Sequence, residues 1–139
     1  MTSSHLNNLA KIGQIKAEPT NSLELEGLIH AGRVRLKDAS NATLSIESRF
    51  DLAYNAAQSL ALAALRWHGF RSTNRYLVFQ VLPHTTGLGP EVWRVLAKCH
   101  ERRNIAEYEG SFEIEDQLMS DLLSAALALS AKIDALVKS

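Results

Sequence analysis

Residues 45–69 read SIESRFDLAYNAAQSLALAALRWHG, and the fold turns on how this stretch is read. Phe50, Tyr54, Ala57, Ala61, Ala64 and Leu65 recur at helical spacing, which predicts one long amphipathic helix. Ser45 is placed to cap its N-terminus and Gly69 to stop its C-terminus. The many alanines permit a neighbouring helix to come close. Such a stripe needs partners, and the rest of the chain offers the same periodicity.

Upstream, Leu6, Leu9, Ile12 and Ile15 predict a helix over about Ser4–Lys16, broken by Pro19. Asn21, with Glu24 three residues on, predicts the capped start of a second helix. Arg33, Arg35 and Lys37 complement the dipole at its far end. The polar run DASNATLS at 38–45 then reads as a loop.

Downstream, NRYLVFQVL at 74–82 suits a strand or a short helix by composition. A lone strand would have no pairing partner, so a helix is expected. Pro83 and TTGLGP interrupt it, and Pro90 fits the first turn of a helix over about Glu91–Tyr108. A last helix is expected over about Phe112–Val137, with Glu113, Glu115 and Asp116 early and Lys132 and Lys138 late. The sum is an all-α antiparallel bundle of about five to six helices, one domain over the 139 residues.

Composition narrows the function classes. Fifteen Lys and Arg balance fifteen Asp and Glu, so no global field draws in nucleic acid or an anionic membrane. Cys99 is the one cysteine, which leaves no internal disulfide and suits a reducing compartment. The run LALAAL ends at Arg66, far short of a membrane span, and MTSSHLNNLAKIG lacks the pattern of a secretory signal. The expectation is a soluble, cytoplasmic protein with no membrane partner. There is no phosphate-loop or dinucleotide glycine pattern, and the five histidines lack metal-ligand spacing, so neither cofactor nor metal is expected. Trp67 and Trp93 read as packing anchors.

Charge is uneven locally. Arg66–Arg103 holds seven Arg and Lys against two acids, whereas Glu107–Asp121 holds six acids and no Arg or Lys. Two separately solvated faces, an RNA-binding basic part, or docking between protomers would each account for this.

The helix over 91–108 ends in the polar segment HERRNIAEYEG at 100–110. At 100° per residue, His100, Arg103 and Glu107 continue the stripe of Val92, Trp93, Leu96 and Cys99. Asn104 borders that stripe and Tyr108 lies beyond it. Unpaired charge on a packing surface costs several kcal/mol, so these groups need partners. The plain local reading is an i, i+4 ion pair of Arg103 with Glu107, His100 being a neutral core-edge residue and Arg102 a surface charge.

The stretch SRFDLAYNAAQSLALAALRWHGFR and the later RRNIAEY together resemble the HEPN superfamily of prokaryotic helical bundles. The resemblance covers roughly residues 44–110. It implies a homodimer whose arginine motifs face one another, and a metal-independent ribonuclease or a noncatalytic relative, often a toxin with a nucleotidyltransferase partner. The family's ribonuclease motif is Arg, commonly followed by Asn, then His after four to six residues. Arg103 and Asn104 match its start. Tyr108 falls where the His is expected at the shortest spacing, and no histidine follows Arg103 anywhere. A tyrosine with an ordinary pKa of about 10 is a poor base at neutral pH.

His100 and Glu107 are the available substitutes. The expected function is therefore an RNA- or nucleotide-associated protein of toxin–antitoxin or defence type, its catalysis weak or lost. Its candidate site is Arg103, Asn104, Tyr108, His100 and Glu107. The alternative is a noncatalytic homodimeric interaction module.

Overall fold

A computed structural model describes residues 4–110 and 113–138. In chain order the elements are α1 (Ser4–Lys11), β1 (Lys16–Ala17), α2 (Ser22–Ala39), α3 (Ile46–Trp67), β2 (Phe70–Arg71), α4 (Arg75–Gln80), α5 (Leu82–Thr85), α6 (Pro90–Glu109) and α7 (Asp116–Lys138). The expected all-α bundle forms around α3, which packs along α2 and α7 and also meets α4, α5 and α6. Phe50, Ala53, Ala57, Leu60, Ala61 and Leu65 are fully buried there, each large side chain contributing about 1.5–3 kcal/mol by leaving water. Leu122, Ala126, Leu129 and Ile133 of α7 close the same core.

The α2–α3 contact is close because Gly32 has no side chain. A Cβ at Gly32 would lie 2.6 Å from Leu60 Cγ and 3.3 Å from the Ala56 carbonyl oxygen. Both expected caps form: the Glu24 N–H donates to Asn21 Oδ1 at 3.0 Å, and the Ser48 N–H donates to Ser45 Oγ at 3.2 Å. Gly69, at φ 84°, turns the chain after α3.

The helix expected over Ser4–Lys16 stops at Lys11. Gly13 adopts φ 79°, its N–H donates to the Ala10 carbonyl, and the Gln14 N–H reaches back to the Leu9 carbonyl. That pattern is a glycine-closed helix end. Ile12 is consequently exposed, while Ile15 is buried from the loop that follows rather than from a helix. The expected helix forms over Arg75–Gln80, capped by Asn74, but Val81 separates this α4 from a short α5 whose first turn contains Pro83. The last helix begins at Asp116, with Glu113 and Glu115 before it; its expected start at Phe112 lies outside the described residues. Seven helices are present among the described residues, two of them of six residues or fewer.

The antiparallel pair β1–β2, which matches Lys16 with Arg71 and Ala17 with Phe70, has no counterpart in the sequence reading. Arg66 holds it in place. Although Arg66 ends an apolar run in the sequence, it is 1% exposed. Its Nε donates to Glu24 Oε1 at 2.6 Å, its Nη1 to the Glu18 carbonyl at 2.9 Å and the Phe70 carbonyl at 3.3 Å, and its Nη2 to the Pro19 carbonyl at 2.6 Å. Arg71 completes the cluster through Glu18, at 2.7 Å, and Glu24. Hydrogen bonds from Arg71 hold both carboxyls below their usual range, with Arg66 adding to the effect. Among the described residues, no helix is long and apolar enough to cross a membrane.

Candidate functional site

The apolar stripe of α6 buries Val92, Leu96 and Cys99, and His100 and Arg103 continue it, half-buried. Burial pushes the Cys99 thiol up to about 12, so it stays protonated and unreactive. Gly110 ends α6 in the left-handed region at φ 72°, which makes the polar segment the last turns of the helix.

His100 is the hub. Its Nδ1 lies 2.8 Å from Tyr54 Oη on α3, and its Nε2 lies 3.1 Å from Asn104 Nδ2 one turn on. With the Asn104 amide oriented so that its Nδ2 faces Nε2, Nε2 is the acceptor, which puts the proton of the neutral ring on Nδ1, toward Tyr54 Oη. Tyr76 of α4 tilts against the same imidazole at 5.6 Å. Burial is the main cause that holds His100 below its ordinary value; the positive charges of Arg75 and Arg103 add to it and Glu101 opposes it. The ring is thus a neutral base at physiological pH. Burial also raises the Tyr54 hydroxyl, against the pull of Arg75 and Arg103, so Tyr54 remains a phenol.

Arg103 lies over the Tyr54 ring with its guanidinium carbon 5.0 Å from the centroid. Its Nη1 pairs with Glu107 at 3.1 Å, and its Nε stands 3.8 Å from Asp51, too far for a hydrogen bond. That Nε is buried and has no hydrogen-bond partner. Both carboxylates are more than half exposed, so these pairs are worth about 0–1 kcal/mol each. A cavity of about 320 Å³ opens here among Asp51, Arg103, Ala106, Glu107 and Gly110.

Of the residues singled out in the sequence, His100, Arg103, Asn104 and Glu107 therefore come together, and the Arg103–Glu107 ion pair forms. Tyr108 is not among them. It is 93% exposed and stands five residues, about 140° around the helix, from Arg103. Arg102 pairs with Glu115 at 3.0 Å. Comparison with family models, curated proteins and solved structures finds no match for the chain.

Tyr54, Tyr76, Asp51 and Arg75 belong to the site but were not singled out for it. Tyr54 did carry a signal, because a tyrosine on a buried stripe needs a partner for its hydroxyl. The basic central segment proves to be mostly self-neutralised: Arg66 and Arg71 face Glu18 and Glu24, Arg102 faces Glu115 and Arg103 faces Glu107. No group of three or more His, Cys, Asp or Glu suited to a metal occurs among the described residues.

The depressed His100 pKa has a consequence for stability. The folded state binds this proton less readily than the unfolded chain, so the contribution is complete above about pH 6.5 and is lost as pH falls below it. Thermal melts from about pH 7.5 to about pH 5 will show a falling Tm, and His100→Asn will flatten that fall. Identical slopes for both proteins would contradict the assignment.

Proposed function

We propose that the chain is an RNA- or nucleotide-associated protein of HEPN type, of toxin–antitoxin or defence kind, in which the cleft between α3 and the end of α6 takes a phosphate. The observation that carries this reading is a neutral imidazole, His100, one turn from Arg103, with both set against Tyr54. Arg103 contacts the phosphate and exchanges Glu107 for it. His100 stands in for the histidine missing after Arg103, its Nε2 lone pair held by Asn104 until a ribose 2′-OH displaces the amide. A base that removes the 2′-OH proton and a cation that stabilises the phosphate are the two groups such a cleavage needs. Catalysis is weak or lost for two physical reasons: Asn104 occupies the base, and Asp51 and Glu107 oppose an incoming anion.

RNA binding and cleavage by wild type and Arg103→Ala test the reading. Binding that weakens with salt and with the substitution supports it; no binding at low salt, or binding indifferent to Arg103, refutes it.

A second reading, a noncatalytic homodimeric module, is favoured by Ile105 and Tyr108. They are neighbours at i, i+3 on α6, 50% and 93% exposed, beside the site. A second copy, or a nucleotidyltransferase partner, would cover them. Light scattering at micromolar concentration is expected to give about twice the 15.3 kDa of one chain, and a monomer would remove the dimer from both readings.

A further inference from the structure

A groove of about 410 Å³ runs between α2, α3 and the start of α4, and it shares only Arg71 and Arg75 with the clusters described above. Leu28, Leu62 and Val78 give it an apolar floor. Along α3 its wall carries Asn55, Gln58 and Ser59, and Ser72 and Thr73 form a hydroxyl rim. Asn55 Nδ2 donates to the Asp51 carbonyl at 2.8 Å and Gln58 Nε2 donates to the Arg75 carbonyl at 3.0 Å. Each amide is thereby fixed, with its oxygen left to accept.

The two guanidiniums of the groove are not equivalent. Arg71 is neutralised by Glu18 and Glu24. Arg75 is exposed and forms no ion pair among the described residues; its side chain reaches the Tyr54 hydroxyl as a hydrogen-bond donor, and its charge acts on both Tyr54 and His100. It connects the groove to the cleft. Asp51, Asn55, Gln58 and Leu62 follow one face of α3 between the two, over about 16 Å at 1.5 Å per residue.

We propose that this groove is a nucleotide subsite, with the base on the floor of Leu28, Leu62 and Val78, its polar edge against Asn55 and Gln58, and its phosphate on Arg75. An apolar floor with a few fixed amides and one uncompensated cation suits a planar heterocycle that carries an anion. A purely apolar partner segment would leave those polar groups desolvated and unpaired. The proposal rests on the reading of the cleft as a phosphate site and extends it along α3.

The test uses the whole chain and a fluorescein-labelled single-stranded RNA at low salt, followed by fluorescence polarisation. Arg75→Ala is expected to weaken binding by about tenfold or more and to lower the slope of log affinity against log salt by about 1, with Arg75→Lys restoring part of both. Thr73→Trp, on the exposed rim, is expected to block the groove and abolish binding, with an unchanged circular dichroism spectrum reporting an intact fold. Displacement of the RNA by AMP assigns the groove to a free mononucleotide, and retention of the RNA assigns it to a strand. RNA binding that survives Arg75→Ala and Thr73→Trp but is lost in Arg103→Ala overturns the groove and leaves the cleft standing. Loss in the two groove variants with Arg103→Ala unaffected does the reverse. Wild type that binds neither RNA nor AMP overturns both.

Discussion

Replacing Arg66 with alanine is expected to lower the free energy of unfolding by about 3–5 kcal/mol, from charge-assisted hydrogen bonds worth about 1.5–3 kcal/mol each and from the void left beside α3. The loss has three parts. Removal of the guanidinium orphans the Glu18, Pro19 and Phe70 carbonyls, takes one of two cations from Glu24, and opens a void beside α3. Arg66→Met refills much of the volume but cannot donate a hydrogen bond, so it is expected to recover only the packing part. Urea unfolding reads this as a midpoint lowered by about 2 M for the alanine variant, at an m value typical of a small domain. A shift below about 0.5 M would mean that the 18–24 segment and β2 are not held by this residue.

Arg66 also shows where sequence reading stops. The helical period of α2, α3, α6 and α7 is strong and local, so the bundle is legible from the residues alone. Arg66 at the end of LALAAL reads as the point where an apolar run meets water, because all its partners but the Phe70 carbonyl lie 42 to 48 positions away. Nothing local reveals that Glu18 and Glu24 return to it. The two-residue strands are invisible for the same reason, since Lys16 pairs with the distant Arg71 and Ala17 with the distant Phe70. Gly13 is a different case: a glycine stop is local, but the apolar spacing of Ile12 and Ile15 carries the expected helix past it to Lys16.

The candidate site divides along the same line. The Arg103–Glu107 pair lies within one helix and follows from i, i+4 spacing. The Tyr54–His100 bond joins residues 46 apart, and its two stripes were each legible although their facing was not. Tyr108 entered through motif spacing alone, and helix geometry turns it away from Arg103.

The second large effect concerns the cleft. Arg103→Ala is expected to weaken binding of single-stranded RNA by about tenfold or more, because it removes the cation and frees the Tyr54 face at once. Any cleavage the wild type shows should fall by about 10²–10³ in Arg103→Ala, the range for losing one charge-stabilising donor. His100→Ala should lower it by about 10²–10⁴, as for a general base, while leaving RNA affinity within a few-fold. The split separates the two roles: Arg103 acts in binding and turnover, His100 in turnover. Tyr108→Phe is expected to change neither, because its ring stands in solvent. A Tyr108 variant as impaired as Arg103→Ala would mean that the motif is read in its original spacing, and not through His100.

The most direct measurement of the central claim is the imidazole ¹H–¹⁵N NMR spectrum of the chain, its five histidines assigned by single substitution, during titration with single-stranded RNA. The His100 resonances are expected to move saturably as Asn104 is displaced from Nε2, and Arg103→Ala is expected to abolish the movement. His100 resonances that stay fixed while RNA binds elsewhere, or that never respond to RNA, would contradict it.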